Sequence, residues 1–472
     1  MARWAELLNS LGPEAVRQAV QGSYAVWSGS DAARTADGAV EVALAREAAS
    51  WEVEVARATN DGKRSSLLGC EIVLRYSPEW QGVLAYDCFA NNLVKRIAPP
   101  FEGGEPGQWE DADTYRLIAW FHREWRFQPS ESDLSGALSN VSRLASFHPV
   151  REYLEGLPKR RIEPGDSLLD VWLAHGMGAT DNPIYLANVG RWFMIGAVAR
   201  VMEPGCKMDN MLVLDGEQDK GKSTALLRLF DPWSSDQPII FGDKDAYLAL
   251  DGIWMLELAE MDAYSRADVK ASKAFLSQRR DRYRPPYGHR MVNNPRQCVF
   301  GASTNQFEYL KDATGNRRNW PVRVQKVRMA WLAEVKDALW AEALQAYQDG
   351  ARWWADTEEE KALCYDAQDQ RVMEDPWEES IGRFLLNSSS GQWSTETLLR
   401  EACYVATHSI TKAHQGRLAE CARALGLVKH RWTEKIGKKS VRIRGYRLGE
   451  KGLGVTGIEG QPGAGQSDGV GQ

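Results

Sequence analysis

The period of the apolar positions changes along the chain, and with it the predicted element. In "EDADTYRLIAWFHREW" an acidic start is followed by apolar residues at helical spacing, which predicts an amphipathic helix. "SESDLSGALSNVSRLASF" predicts a second helix with a Ser cap, and "HPVREYLEGL" and "SLLDVWLAHGMG" continue the helical character. "NPIYLANVGRWFMIGAVARVM" is apolar nearly all round, the mark of a buried helix. "CEIVLRYSPEWQGVLAYD" predicts two short strands, and the Gly and Pro of "PPFEGGEPGQW" predict a loop. Residues 1–65 are Ala-rich and weakly patterned; they fit helix and carry no recognisable chemistry.

From Asn210 strands and helices alternate. "NMLVLD" predicts a strand, followed by a Gly-rich turn and the helix "STALLRLF". "QPIIFG", "IWMLELA" and "RQCVFGASTN" predict three further strands, with "KDAYLALD" and "RADVKASKAFLSQ" as helices between them. That alternation implies a parallel sheet. "RMAWLAEVKDALWAEALQAYQDG" predicts a helix closed by Gly350. A last unit, residues 376–448, reads as three helical stretches and a basic strand pair. The Gly-rich tail, 449–472, lacks bulky apolar residues and is expected to be disordered.

Composition narrows the class. At 472 residues, 43% hydrophobic and 26% charged, the chain reads as an ordinary globular protein. Its longest apolar run, "RWFMIGAVARVM", is too short for a membrane span and carries Arg200, and the first residues lack an apolar signal core. The seven Cys are scattered with no CxxC pair, so neither a disulfide framework nor a zinc ribbon is indicated, and a reduced cytoplasm is expected. Net charge is −6, yet two islands are basic. "RRDRYRPPYGHRMVNNPR" holds seven basic or titratable side chains and one acid; "KHRWTEKIGKKSVRIRGYR" is as dense, with Glu434 its one acid. Each is either an anion-binding surface or a solvated face.

The turn "GEQDKGKS" fits G-x-x-x-x-G-K-[ST] through Gly216, Gly221, Lys222 and Ser223, with an apolar strand before it and a helix after it. Backbone N–H groups of such a turn bind phosphate oxygens, and the helix start adds a positive dipole end. Lys222 would neutralise β- and γ-phosphate charge and Ser223 would ligate Mg²⁺. Glu217 and Asp219 inside the turn would have to point to solvent. A nucleotide site also needs an acid on a neighbouring strand, and "GIWMLELAEMD" offers Glu257, Glu260 and Asp262. Glu257, within an apolar strand, is costly to bury without a partner; Glu260 stands at the strand exit. The next strand ends in Ser303, Thr304 and Asn305, placed to hold the attacking water or the γ-phosphate. Arg317 and Arg318 follow a Gly turn, as an arginine reaching a neighbouring subunit's γ-phosphate would. The plainer alternatives are a surface acid cluster, a turn Asn and two surface arginines.

Taken in order, "FHPVREYLEGL", "GRWFMIGAVARVMEPGCKMDNMLVLDGEQDKGKST", "WMLELAEMD", "FLSQRRDRYRPPYGHR" and "CVFGASTNQFEYLKDATGNRRNWPV" resemble the virulence-associated protein E family of phage and mobile-element replication proteins, whose motor is similar to a superfamily 3 helicase. The resemblance covers about residues 70–330. It implies an ATP-driven ring on DNA, usually a hexamer. It places phosphate binding at Gly216, Gly221, Lys222, Ser223 and Thr224, metal binding at Ser223 and Glu257, and the acidic motif at Glu257 to Glu260. It further implies a γ-phosphate sensor at Asn305, an arginine finger at Arg317 or Arg318, and a channel hairpin "RYRPPYGHRMVNN" with His289 and Arg290 on DNA phosphates. Many relatives carry an N-terminal primase domain; no acidic metal-binding constellation precedes residue 70, so any primase is expected to be a separate protein.

The last unit looks like a winged helix. "TKAHQGRLAECARALGL" would be the recognition helix, with Lys412, His414 and Arg417 outward. The basic strand pair would be the wing, with Gly437 at its turn and Lys438 and Lys439 on DNA. A protein-docking module is the plainer alternative. The expected fold class is thus α/β, a P-loop AAA+-like ATPase core with a mostly helical N-terminal domain and a C-terminal winged-helix domain. The expected divisions are 1–65, 66–190, 191–350, 376–448 and 449–472. The expected function is an ATP-dependent DNA helicase using ATP and Mg²⁺ on single-stranded DNA, with no membrane partner. The alternative is an origin-binding initiator whose assembly on duplex DNA is driven by ATP without processive unwinding.

Overall fold

The computed structural model describes residues 51–159, 162–163, 165–258, 266–285, 290–310, 316–373, 375–436 and 439–449. The expectations for 1–50 and for the tail from 450 lie outside the described residues. The chain divides into two compact units, Met1–Arg371 and Val372–Gln472.

The first unit holds two apolar cores. In one, Trp80, Trp120, Phe121 and Phe127 gather against the helices Leu67–Tyr76, Asp111–Trp125 and Glu131–Leu144. A four-stranded sheet accompanies them: β1 (Leu84–Asp87), β2 (Asn92–Lys95), β3 (Gly107–Gln108) and β4 (Ser146–Phe147), in the order β3-β2-β1-β4. Here one expected strand fails: "CEIVLRY" lies in the helix Leu67–Tyr76. Its β-branched Ile72 and Val73 favour a strand. However, Ser66 caps Gly69 N–H at 3.2 Å, and Cys70, Val73 and Leu74 are buried at the i, i+3, i+4 spacing of one helical face.

The other core surrounds five parallel strands: β5 (Met211–Asp215), β6 (Ser234–Ser235), β7 (Met255–Leu258), β10 (Val299–Thr304) and β11 (Asn319–Arg323), in the order β11-β5-β10-β7-β6. Between them in sequence runs an antiparallel pair, β8 (Arg280–Tyr283) and β9 (Val292–Pro295). The 20-residue helix Pro183–Met202, capped by Asn182, is buried along most of its length in the sheet's core, as its all-round apolar pattern requires. An expected domain boundary between 190 and 191 therefore falls inside this helix. The helices Lys222–Phe230 and Met329–Gln348 join the same core, where Trp254 and Trp340 lie 4.2 Å apart by ring centroids. The latter helix ends at Gly350, whose φ of +80° suits glycine. The expected strand "QPIIFG" is absent: pairing with β7 uses Ser234 and Ser235 instead. The Trp233 carbonyl accepts Trp254 N–H at 2.7 Å and fixes that register, while Pro238 withholds a donor and Ile240 is exposed.

The second unit packs the helices Pro376–Leu386 and Lys412–Ala424 and the helical turns of 395–402 on a three-stranded antiparallel sheet. Its strands are β12 (Gln392–Ser394), β13 (Leu427–Ile436) and β14 (Lys439–Leu448), in the order β12-β14-β13. Gly445 is required there, since a side chain would be driven into the Trp393 carbonyl of β12. All seven cysteines are free, and no described helix is long and apolar enough to cross a membrane.

Candidate functional site

β5 is wholly buried and delivers the chain to Gly216 at the carboxyl end of the sheet, where open α/β sheets bind ligands. Gly216 has φ +150°, and a Cβ there would collide with the Val324 carbonyl. Asp219 (φ +60°) and Gly221 (φ +83°) turn the chain back, and the helix Lys222–Phe230 starts with neither a capping side chain nor an acid in its first turn. Its first N–H groups and its dipole therefore face the turn. Glu217 and Asp219 are exposed, and Glu217 pairs with Lys220 at 2.8 Å.

Lys222 is buried and folds over the turn. Its Nζ donates to the carbonyls of Gly216 and Glu217, each at 2.7 Å, and to Asn305 Oδ1 at 3.1 Å. Burial lowers its amine from the ordinary value, while the carboxylates of Asp215, Asp219 and Glu257 pull it upward. Ser223 Oγ stands 3.1 Å from Ser303 Oγ at the end of β10, and Thr224 is exposed in the helix's first turn. Glu257 is paired across the sheet with Gly301 and only 2% exposed, and its Oε1 has no hydrogen-bond partner. A buried carboxylate oxygen left unpaired is costly and points to something polar that belongs there.

The structure thus brings Gly216, Gly221, Lys222, Ser223 and Asn305 to one end of the sheet; Glu257 lies further back, level with Leu212 of β5, where its charge still acts on Lys222. Glu260 and Asp262 lie outside the described residues. Arg317 and Arg318 are elsewhere, in a helical turn at the amino-terminal end of β11, a sheet length of about 15 Å from the turn. Arg318 is tied to Ser277 Oγ at 3.0 Å and Asp209 at 3.6 Å, whereas the Arg317 side chain is exposed. Arg290 is exposed beside the β8–β9 pair; His289 lies outside the described residues.

Sequence reasoning missed a buried charge cluster beside the turn. Asp215, the last residue of β5, is held by Arg323 and by Arg371 Nε at 3.0 Å, and Arg371 also binds Asp181 at 2.6 Å. Arg323 lies over the Phe307 ring at 3.7 Å, and an open cavity of about 440 Å³ borders Asp181, Arg323 and Arg371. Burial pushes Asp215's carboxyl up from its ordinary value against the two guanidiniums. An acid closing an apolar strand just before a glycine was the one available signal. Its partners lie 108 and 156 residues away, which no local pattern reports.

In the second unit one of the expected DNA contacts, Arg417, is engaged within the protein. Arg417 does not point outward: it donates to both carboxylate oxygens of Asp375, at 2.8 and 2.7 Å, and lies 4.2 Å over Trp377. A guanidinium satisfied by a bidentate carboxylate and an aromatic face is a structural tie. His414 closes the helix's capping box with Thr411, and Lys412 is exposed. Lys438 and Gly437 lie outside the described residues; Lys439 pairs with Ile436 at the hairpin tip.

The family model described as "Virulence-associated protein E-like domain" matches residues 161–373. This stretch is similar to that domain. The resemblance carried by the motifs is borne out, over a span that begins later and ends later than those motifs did. The domain takes in the parallel sheet, the Gly-rich turn and the Asp215 cluster. Among solved structures the chain is similar to "The apo structure of NrS-1 C terminal region (305-718)" at 12% identity and TM-score 0.38, covering 78% of this chain and 96% of that one. It is also similar to "The A form apo structure of NrS-1 C terminal region-CTR" at 12% identity and TM-score 0.38, covering 78% and 97%. No curated protein matches the chain.

Proposed function

We propose that the chain is an ATP-hydrolysing DNA motor, a ring-forming helicase in the replication of a phage or mobile element. The observation that carries this reading is the convergence of Lys222, Ser223 and Asn305 at a turn that only glycine can make, with Glu257 and its unpartnered Oε1 near enough for its charge to act on Lys222. In this reading the turn's N–H groups and the helix start hold the phosphates. Lys222 exchanges the two turn carbonyls for phosphate oxygens. Asn305, now on Lys222, is free to meet the γ-phosphate once that exchange occurs. Glu257 orients the attacking water and draws its proton, with Glu260 as the other candidate base.

Mg²⁺ fits the same residues. The described residues hold no cluster of three or more metal-ligating side chains, and Mg²⁺ on nucleotides needs few protein ligands because phosphates and waters supply the rest. Ser223 and Glu257 would hold it, and it would supply charge neutralisation on the phosphates. The position of Arg317, exposed and a sheet length from its own turn, suits a finger serving the site of a neighbouring copy, which is why a ring, of six copies, is proposed. The same reading puts Arg290 on single-stranded DNA in the ring channel, gives the second unit a winged-helix role on DNA, and leaves priming to a separate protein.

The test is ATP turnover by the pure chain with and without single-stranded DNA, beside Lys222→Ala. Stimulation by DNA and a dead variant support a DNA-coupled motor. Turnover indifferent to DNA removes the helicase reading, and equal inactivity with no ATP binding removes the nucleotide site altogether.

A further inference from the structure

The hairpin β13–β14 segregates its charge by face. Its register pairs Lys429 with Tyr446, Arg431 with Arg444, Thr433 with Arg442 and Lys435 with Ser440. Strand alternation therefore sets Lys429, Arg431, Lys435, Arg442 and Arg444 on one face, over about 20 Å. The hairpin's one acid, Glu434, falls on the other face with His430, Trp432, Ile443 and, at the root, the exposed Arg447. All five cations are exposed, and among the described residues none takes part in an ion pair. Arg431 and Arg444 stand directly opposite each other, a like-charge pairing that weakens a hairpin unless a polyanion offsets it. The basic face shows no exposed aromatic, since Tyr446 is buried and the stacked pair His430–Trp432 lies on the reverse. It therefore suits phosphates and lacks a platform for unstacked bases. The helix Lys412–Ala424 offers less: Arg417 is tied to Asp375, and its exposed positions include Ala413, Gln415 and Gly416.

We infer that the second unit grips the phosphate backbone of duplex DNA through this flat basic face, centred on Arg431 and Arg444, rather than by presenting the helix Lys412–Ala424 to base edges. The inference deepens the proposed role on DNA and rests on it. Binding through it is independent of sequence and steeply salt-dependent.

The experiment measures binding of the full chain to a fluorescent duplex of mixed sequence across a salt series. Arg431→Glu/Arg444→Glu should weaken binding at low salt by at least about tenfold, and Arg431→Ala/Arg444→Ala should make the log–log salt slope shallower by about 2. Lys412→Ala should bind nearly as wild type. Circular dichroism checks that the variants fold, and if the reversal does not, the alanine pair carries the test. The inference is overturned if folded hairpin variants bind as wild type or if Lys412→Ala loses as much as they do. It is equally overturned by tighter binding of a single strand that depends on Trp432, or of phosphatidylserine vesicles over the duplex. ATP turnover of the wild type, with and without single-stranded DNA, separates the two claims. Turnover with hairpin-independent duplex binding sinks the inference alone, whereas hairpin-dependent binding without turnover sinks the proposed motor alone.

Discussion

The two basic islands look alike in sequence, and the fold divides their charge differently between interior and surface. In the first, residues 279–296, Arg296 is 1% exposed, bound to Asp281, and lies 4.5 Å over the Phe275 ring. Arg279 Nε donates to the Gly205 carbonyl at 2.7 Å, and Tyr283 binds Asp251 beneath the pair β8–β9. These contacts fasten the root of the hairpin to the chain around it, while Arg280, Arg282, Arg284 and Arg290 remain exposed. In the second island the cations stand exposed on one face, like opposite like. Density of positive charge thus says little about use. What decides it is whether the fold places an acid, a carbonyl or a ring within reach of each guanidinium.

The contrast is open to direct attack. Arg296→Ala leaves Asp281 buried without its partner and should cost about 3–5 kcal/mol in denaturant unfolding; a loss below about 1 kcal/mol would erase the distinction between the islands. Among the described residues Glu257 is the buried acid with a carboxylate oxygen that has no partner. Glu257→Gln should lower ATP turnover by about a hundredfold or more while ATP binding and the unfolding midpoint hold or rise. A fall in stability with turnover intact would make it a structural acid. Arg417→Ala, which unties Asp375 and uncovers Trp377, should destabilise the second unit by roughly 1 kcal/mol and leave duplex binding nearly unchanged. The smallest effect belongs to Arg431→Ala. Removing one of two facing cations should shift stability by no more than about 0.5 kcal/mol, in the stabilising direction if in either, as a thermal melt would report.

Much of the site was legible because its physics is local. The run "GEQDKGKS" between an apolar strand and a helix fixes where free N–H groups converge, and Lys222 and Ser223 follow from that geometry. Glu257 was suspect as soon as it appeared inside an apolar strand, and its unpaired oxygen is the outcome that suspicion called for. Asn305 at the end of the next strand was a weaker signal, since an Asn suits many turns; its contact with Lys222, 83 residues away, makes it informative.

The errors share one cause. "CEIVLRY" was taken for a strand on side-chain preference, and a Ser cap plus a buried face made it helix. "QPIIFG" carried the apolar run, while the register fixed at Trp233 gave the pairing to two serines upstream. Arg417 had the position of a DNA contact, but Asp375 and Trp377 reach it from another helix and its approach.

By itself, then, the sequence determined the elements, the Gly-rich turn and the candidate acids, because capping, periodicity and turn chemistry act over a few residues. The tertiary structure alone decided the strand order, the Asp215–Arg323–Arg371 cluster, and which arginines are paired inside the protein and which stand exposed. Those outcomes depend on contacts beyond the reach of local patterns, 108 and 156 positions apart in the Asp215 cluster, whose strength comes from burial that no local pattern encodes.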